Sequence, residues 1–289
     1  MERKNQERPE QQRPIALLDS GVGGLTVASA VSRQLPAERL IYYGDTLHLP
    51  YGPRHLEEVR GFVSQIADYL YHKQQAKAII IACNTATSAA LELVGNHYPV
   101  PVFGTISGAT IRAYQLTEKG RVGIIGTEGT VNSQAYQRSL LEIDQELEVF
   151  AAACPRFVEL VEGGRFDGPE VEQVARRYLE GLKQVGIDVL ILGCTHFPYL
   201  RPVIQRVMGK GVQLVGSNIE IAREVSQTLE QKNLLRAGSR SGKLSDQELI
   251  VSDKHRISRL FLERGRKFLR LPDLDFREVN IFTGGGKDE

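Results

Sequence analysis

Apolar runs of four or five residues recur along the chain, each stopped by glycine or small polar residues and followed by a stretch with helical spacing. Pro14 to Leu18, Leu40 to Tyr43, Ile79 to Ala82 and Val100 to Phe103 read as buried strands. Between them, Leu25 to Ser32 reads as a helix ending before Pro36. A second helix carries Val59, Phe62, Val63, Ile66 and Leu70, with Pro53 suited to its first turn, and a third spans Ala86 to Leu93. Strands that are apolar throughout, alternating with helices, predict a parallel sheet covered on both faces.

The pattern then starts again. Arg121 to Ile125, Leu147 to Ala151, Val189 to Leu192 and Val212 to Val215 repeat the strands, with helices around Ser133 to Leu141 and Pro169 to Val185. Two markers repeat in the same order: Gly126 ends its strand 107 residues after Asp19, and Cys194 follows its strand 111 residues after Cys83. Beyond the second unit come a helix from about Ser217, a polar surface loop over Ala237 to Leu244, an apolar run at Glu248 to Val251 and a helix near His255 to Leu269. This piece is too short for a third domain and is expected to pack on the first.

The predicted fold is therefore α/β: two similar domains, each a mostly parallel sheet flanked by helices. Residues 14–106 with 217–283 form the first, discontinuous domain and residues 107–216 the second. Residues 1–13 are a disordered polar tail and Gly284 to Glu289 a frayed end.

Composition narrows the function. The chain has 289 residues, enough for two cores, and 36 Lys and Arg against 35 Asp and Glu, so no polyanion-binding surface and no nucleic-acid partner is expected. No run reaches membrane-spanning length and no signal-like apolar segment is seen, which predicts a cytoplasmic protein without a membrane partner. Three cysteines without Cys-x-x-Cys spacing suggest reduced thiols and neither zinc nor a redox disulfide. Asp19-Ser-Gly-Val-Gly-Gly24 is a strand-to-helix turn, but Thr26 breaks the Gly-x-Gly-x-x-Gly spacing of a dinucleotide site.

Cys83 and Cys194 carry the candidate chemistry. Each ends an apolar run, each stands where a helix is expected to start, and each is trailed by residues a core would not select: Asn84, Thr85, Thr195 and His196. Cys154 lacks such a setting and reads as a core thiol. A cysteine hydrolase needs one thiol with a base and leaves the other idle, whereas inverting a carbon needs a proton removed from one face and delivered to the other, a task for two thiols. No lysine lies in these loops to form a pyridoxal Schiff base, so a cofactor-free reaction is expected.

Seven motifs in order, Asp19-Ser-Gly-Val-Gly-Gly-Leu-Thr26, Gly44-Asp-Thr46, Pro50-Tyr-Gly52, Ala82-Cys-Asn-Thr85, Cys154-Pro155, Val161-Glu-Gly-Gly164 and Leu192-Gly-Cys-Thr-His-Phe-Pro198, resemble those of the cofactor-independent aspartate/glutamate racemase family, in its glutamate-specific, two-thiol form. The resemblance covers Pro14 to Val215 closely. It implies interconversion of L- and D-glutamate by two-base proton transfer at Cα, supplying D-glutamate for peptidoglycan, in a cleft between pseudo-twofold related domains. It implies Cys83 and Cys194 as the acid/base pair, Asp19 assisting Cys83, and His196 with Glu162 assisting Cys194. Ser20, Asn84, Thr85 and Thr195 are implied holders of the α-amino and α-carboxylate groups, the amides near Tyr51 and Gly52 of the side-chain carboxylate, and Thr127 and Thr130 line the cleft. No metal or cofactor is implied. Glutamate is the expected small-molecule partner, and a homodimer is compatible with the resemblance. Gly104 to Gly108 and Val215 to Asn218 depart from the family's forms, which carry a proline and an aspartate at these interdomain crossings. Aspartate or another acidic amino acid as substrate, or amino-acid binding without turnover, are the alternative readings.

Overall fold

The computed structural model describes residues 8–237, 247–257, 262, 263, 265, 266 and 276–282. Its first unit runs α1 (Pro9–Gln12), β1 (Ile15–Asp19), α2 (Leu25–Gln34), β2 (Leu40–Gly44), α3 (Leu56–Asp68), β3 (Ala78–Ile81), α4 (Asn84–His97) and β4 (Val102–Gly104). The second runs α5 (Ser107–Leu116), β5 (Arg121–Gly126), α6 (Glu128–Asn132), α7 (Ala135–Ile143), β6 (Glu148–Ala153), α8 (Pro155–Glu162), α9 (Pro169–Gln184), β7 (Val189–Gly193), α10 (Arg201–Met208) and β8 (Gln213–Gly216). Then α11 (Ser217–Gln231), β9 (Glu248–Val251) and β10 (Arg277–Glu278) return to the first sheet.

All strand pairings are parallel. The sheets are ordered β10-β9-β2-β1-β3-β4 and β6-β5-β7-β8. The sequence repeat is thus a structural one, because β2-β1-β3-β4 and β6-β5-β7-β8 are the same winding. Residues alternate between two cores on opposite faces of each sheet: Ile15, Leu17 and Ile80 pack on one side of the first, Ala16, Leu18 and Ile79 on the other. That double burial is why the strands read as continuous apolar runs. In both units the winding brings the C-terminal ends of the two central strands side by side, where an open parallel sheet places its binding crevice. Asp19 and Cys83 lie at that edge of the first sheet, Thr127 and Cys194 at that of the second.

Three expectations are corrected. The helix after Tyr51 starts at Leu56, not at Pro53, because Arg54 N–H closes a turn on Tyr51 C=O at 3.1 Å first. Cys194 does not open an α-helix: a 3-10 turn, Phe197–Leu200, separates it from α10. Of the polar tail, Pro9–Gln12 form a helical turn, held by Lys77 Nζ donating to Gln11 C=O at 2.7 Å. Residues 1–7, most of the expected loop at 237–244 and the end at 284–289 lie outside the described residues, as does much of the helix expected near 255–269; before it, Lys254–Arg256 form a 3-10 turn. No described helix is long and apolar enough to cross a membrane.

Lys77 anchors more than α1. Its ammonium lies 2.6 Å from Glu38 Oε2, with both side chains 2% exposed, and donates also to Leu234 C=O, while Glu38 Oε1 accepts from Arg236 N–H. Removing one partner of a buried pair strands the other charge. Lys77→Met is expected to lower unfolding free energy by about 3 kcal/mol in urea titrations, and adding Glu38→Leu to recover most of it. A Lys77→Met midpoint equal to the parent's would show that the pair contributes nothing.

Candidate active site

The strand ends converge on one cavity of about 120 Å³, lined from the first unit by Ser20, Pro50, Tyr51, Gly52, Pro53, Cys83, Asn84 and Thr85, and from the second by Thr127, Pro155, Val158, Glu159, Cys194, Thr195 and His196. Both thiols are reduced and buried, Cys83 as the N-cap of α4 and Cys194 just past β7. Cys154, at the start of α8, is wholly buried in the core of the second unit and does not line the cavity.

The two thiols have different neighbours. Burial and then the nearby Asp19 carboxylate push the Cys83 thiol well above its ordinary range, only partly offset by the amides of Ala86 and Thr85 at the start of α4. Asp19 is itself raised, because burial outweighs the His196 charge and the hydrogen bonds from Gly24, Gly21 and Tyr42. Its Oδ2 accepts from Gly24 N–H at 2.9 Å and Gly21 N–H at 3.0 Å, and Oδ1 has no hydrogen-bond partner among the described residues.

On the other side, His196 Nδ1 lies 3.7 Å from Cys194 Sγ, and its Nε2 lies 2.7 Å from Glu162 Oε1. Burial alone would lower the imidazole, but the hydrogen bonds and charges of Cys194 and Glu162 prevail and raise it to about 10. An imidazolium at that place is a proton donor within reach of the Cys194 sulfur and a counter-charge for a thiolate on it.

Three expected site residues stand one layer behind the cavity wall. Asp19 is covered by its own glycine turn, and Glu162, at the end of α8, reaches the site through His196. Thr130 sits behind Thr127, whose Oγ1 lies 3.0 Å from Thr130 Oγ1 and 2.9 Å from Thr85 Oγ1. Tyr51 lines the cavity, but its hydroxyl is committed to Asp45 Oδ2 at 2.6 Å. Sequence reasoning passed over Pro50, Pro53, Pro155, Val158 and Glu159 as wall residues; the last three share one face of α8, a signal legible only once the orientation of that helix is known. Among the described residues no His, Cys, Asp and Glu side chains group as a metal-ligand set.

The halves touch closely around the cavity. Thr26 Oγ1 reaches Thr195 C=O at 3.2 Å, and Gly129 N–H donates to Gly52 C=O at 3.0 Å. A Cβ on Gly23 would fall 2.2 Å from Thr195 Oγ1 and 2.7 Å from His196 Nδ1, so this glycine is required by the approach of the second unit. Gly23→Ala is expected to reduce kcat/KM on the order of tenfold to a hundredfold by displacing His196, with little change in melting temperature. Parent-like kinetics in that variant would mean that the contact yields freely.

A sequence profile described as Asp/Glu/Hydantoin racemase matches residues 23–225. The chain belongs to that family. A glutamate racemase of Bacillus cereus is 50% identical over 226 residues, covering 78% of this chain and 84% of that protein. Among solved structures, a glutamate racemase isoform from Bacillus anthracis superposes with a TM-score of 0.85 at 36% identity, covering 93% of this chain and 98% of that one. A Francisella tularensis glutamate racemase solved in complex with D-glutamate gives 0.84 at 31% identity, covering 94% and 99%. The two-domain α/β architecture is shared with these racemases, and the cavity above occupies the junction of the two sheets in this member of the family.

Proposed function

We infer that the chain is a glutamate racemase and propose that Cys83 and Cys194 interconvert L- and D-glutamate by direct proton transfer at Cα. The observation that carries the mechanism is that two thiols, one from each sheet, line the same cavity. One thiolate removes the α-proton while the opposite thiol delivers a proton to the other face, and the roles exchange in reverse. Cys83, held as a neutral thiol by burial and by Asp19, is placed to deliver; the His196–Glu162 pair returns protons to the Cys194 side.

The α-carbanion needs donors set in advance, and loss of one such donor typically costs about two to three powers of ten in rate. Ser20, Asn84, Thr85 and Thr195 supply hydroxyl and amide groups for the α-amino and α-carboxylate groups, and the backbone near Tyr51 and Gly52, with Thr127, faces the side-chain carboxylate. We propose further that residues 14–106 with 217–283 form a first, discontinuous domain and 107–216 the second, that the enzyme acts in the cytoplasm, and that its D-glutamate serves peptidoglycan synthesis.

Incubation with L-glutamate in heavy water without added cofactor tests the reading. Loss of optical rotation with deuterium at Cα of the inverted product is expected, and kcat/KM for glutamate above that for aspartate. Neither inversion nor exchange with glutamate would overturn the assignment; a preference for aspartate would reassign the substrate.

A further inference from the structure

Tyr136 belongs to α7 of the second unit, is wholly buried, and has no part in the chemistry just described. Its hydroxyl donates to Asn84 Oδ1 at 2.6 Å, across the junction of the two units. Asn84 is the residue after Cys83 and lines the cavity. The same Oδ1 accepts from Thr105 Oγ1 at 2.8 Å, and Thr105 lies at the crossing between β4 and α5. Two hydroxyl donors on Oδ1 fix which end of the amide is which. The Nδ2 end, 2% exposed as part of Asn84, has no hydrogen-bond partner among the described residues.

The ring of Tyr136 does a second thing. A Cβ on Gly193, the residue before Cys194, would lie 3.0 Å from Tyr136 Cε2, so the ring packs directly on the backbone that presents the second thiol. One side chain therefore touches the neighbours of both cysteines, by its hydroxyl on one side and by its ring on the other.

We propose that Tyr136 is a positioning residue for racemisation, orienting the Asn84 amide so that Nδ2 donates to a carboxylate oxygen of the amino acid while its ring sets the level of the Cys194 strand end. The inference rests on the reading of the cavity as an amino-acid site. It also ties substrate binding to the seating of the second unit, since of the two donors that orient Asn84 one, Thr105, comes from its own unit and the other, Tyr136, from α7 across the junction. An unoriented buried amide would have to find its own partner, at the cost of the bond it offers the substrate.

A mutant cycle of Tyr136→Phe and Asn84→Ala tests this. Tyr136→Phe keeps the ring on Gly193 and is expected to raise KM for L-glutamate about three- to tenfold, with kcat and melting temperature close to the parent's. In the Asn84→Ala background the same change is expected to leave KM unaltered, because the group through which Tyr136 acts is gone. An unaltered KM in the single variant, or an equal rise in both backgrounds, overturns the proposal, as does a loss confined to kcat and melting temperature, which is the mark of a purely structural role. Should Tyr136→Phe not fold, Thr105→Val removes the other donor on Oδ1 and carries the same cycle. For a parent that binds glutamate without turning it over, the cycle is read as Kd by calorimetry; a parent that racemises normally beside an unaffected Tyr136→Phe sinks only the positioning role, and a parent that neither binds nor turns over sinks both.

Discussion

Cys83→Ser and Cys194→Ser are each expected to lose racemisation by about two to four powers of ten in kcat/KM, the scale of a single positioned acid or base, while melting with the parent. Serine is close to cysteine in size, so each substitution removes the ionisable sulfur while keeping a side chain of similar volume at a buried position. Both losses should be of this size because inversion uses one group on each face, and the double variant should be little worse than either single one, since residues acting as a unit are not additive. Cys154→Ser serves as the internal comparison, as that thiol lies in the core of the second unit away from the cavity. Optical rotation over a range of glutamate concentrations measures kcat/KM for all four proteins. A Cys194→Ser enzyme racemising at the parent rate would remove the second thiol from the mechanism.

His196→Gln is expected to cost about a hundredfold or more in kcat/KM and to remove the alkaline limb of the pH profile. In the parent, His196 keeps its proton through neutral pH and loses it near 10, so kcat/KM should fall as pH rises through that value. The same shift stabilises the fold. The folded-state value is raised above the ordinary 6.5, so the contribution is fully present below about pH 6.5 and is lost as pH rises through about 10. Glu162→Gln removes one of the groups that raise the imidazole and should move both the alkaline limb and the loss of urea resistance to lower pH. Profiles of kcat/KM and urea midpoints between pH 6 and 11 read this directly, and a limb in Glu162→Gln that coincides with the parent's would show that the ion pair does not govern the histidine.

What could be read in advance followed from local physics. Apolar runs such as Ile79 to Ala82 and Val189 to Leu192 announce doubly covered parallel strands because both of their faces must be apolar, and each run stops at the thiol it delivers. The in-order motifs pointed to the same thiols, and Cys83, Cys194, His196, Asn84, Thr85 and Thr195 from those motifs, with Thr127 from outside them, do meet in one cavity. The misplaced start of α3 has a long-range cause: the turn at Tyr51 is held by Asp45, which is itself anchored by Ser252 Oγ at 2.8 Å from the far end of the chain. Proline spacing alone carries no trace of that bond.

By itself, then, the sequence determined the strand and helix alternation, the two-unit repeat and the pair of thiols, all of which depend on residues within a few positions of one another. Only the tertiary structure decided which groups stand against which: Glu162 behind His196, Gly23 pressed on Thr195, and Tyr136 between Asn84 and Gly193. Those contacts join residues tens to well over a hundred positions apart: Glu162 with His196 and Tyr136 with Gly193 meet through the folding of the second unit, and Gly23 with Thr195 and Tyr136 with Asn84 meet because the two sheets bring their strand ends together. A buried tyrosine on an amphipathic helix looks like any other core residue until the partner of its hydroxyl is known.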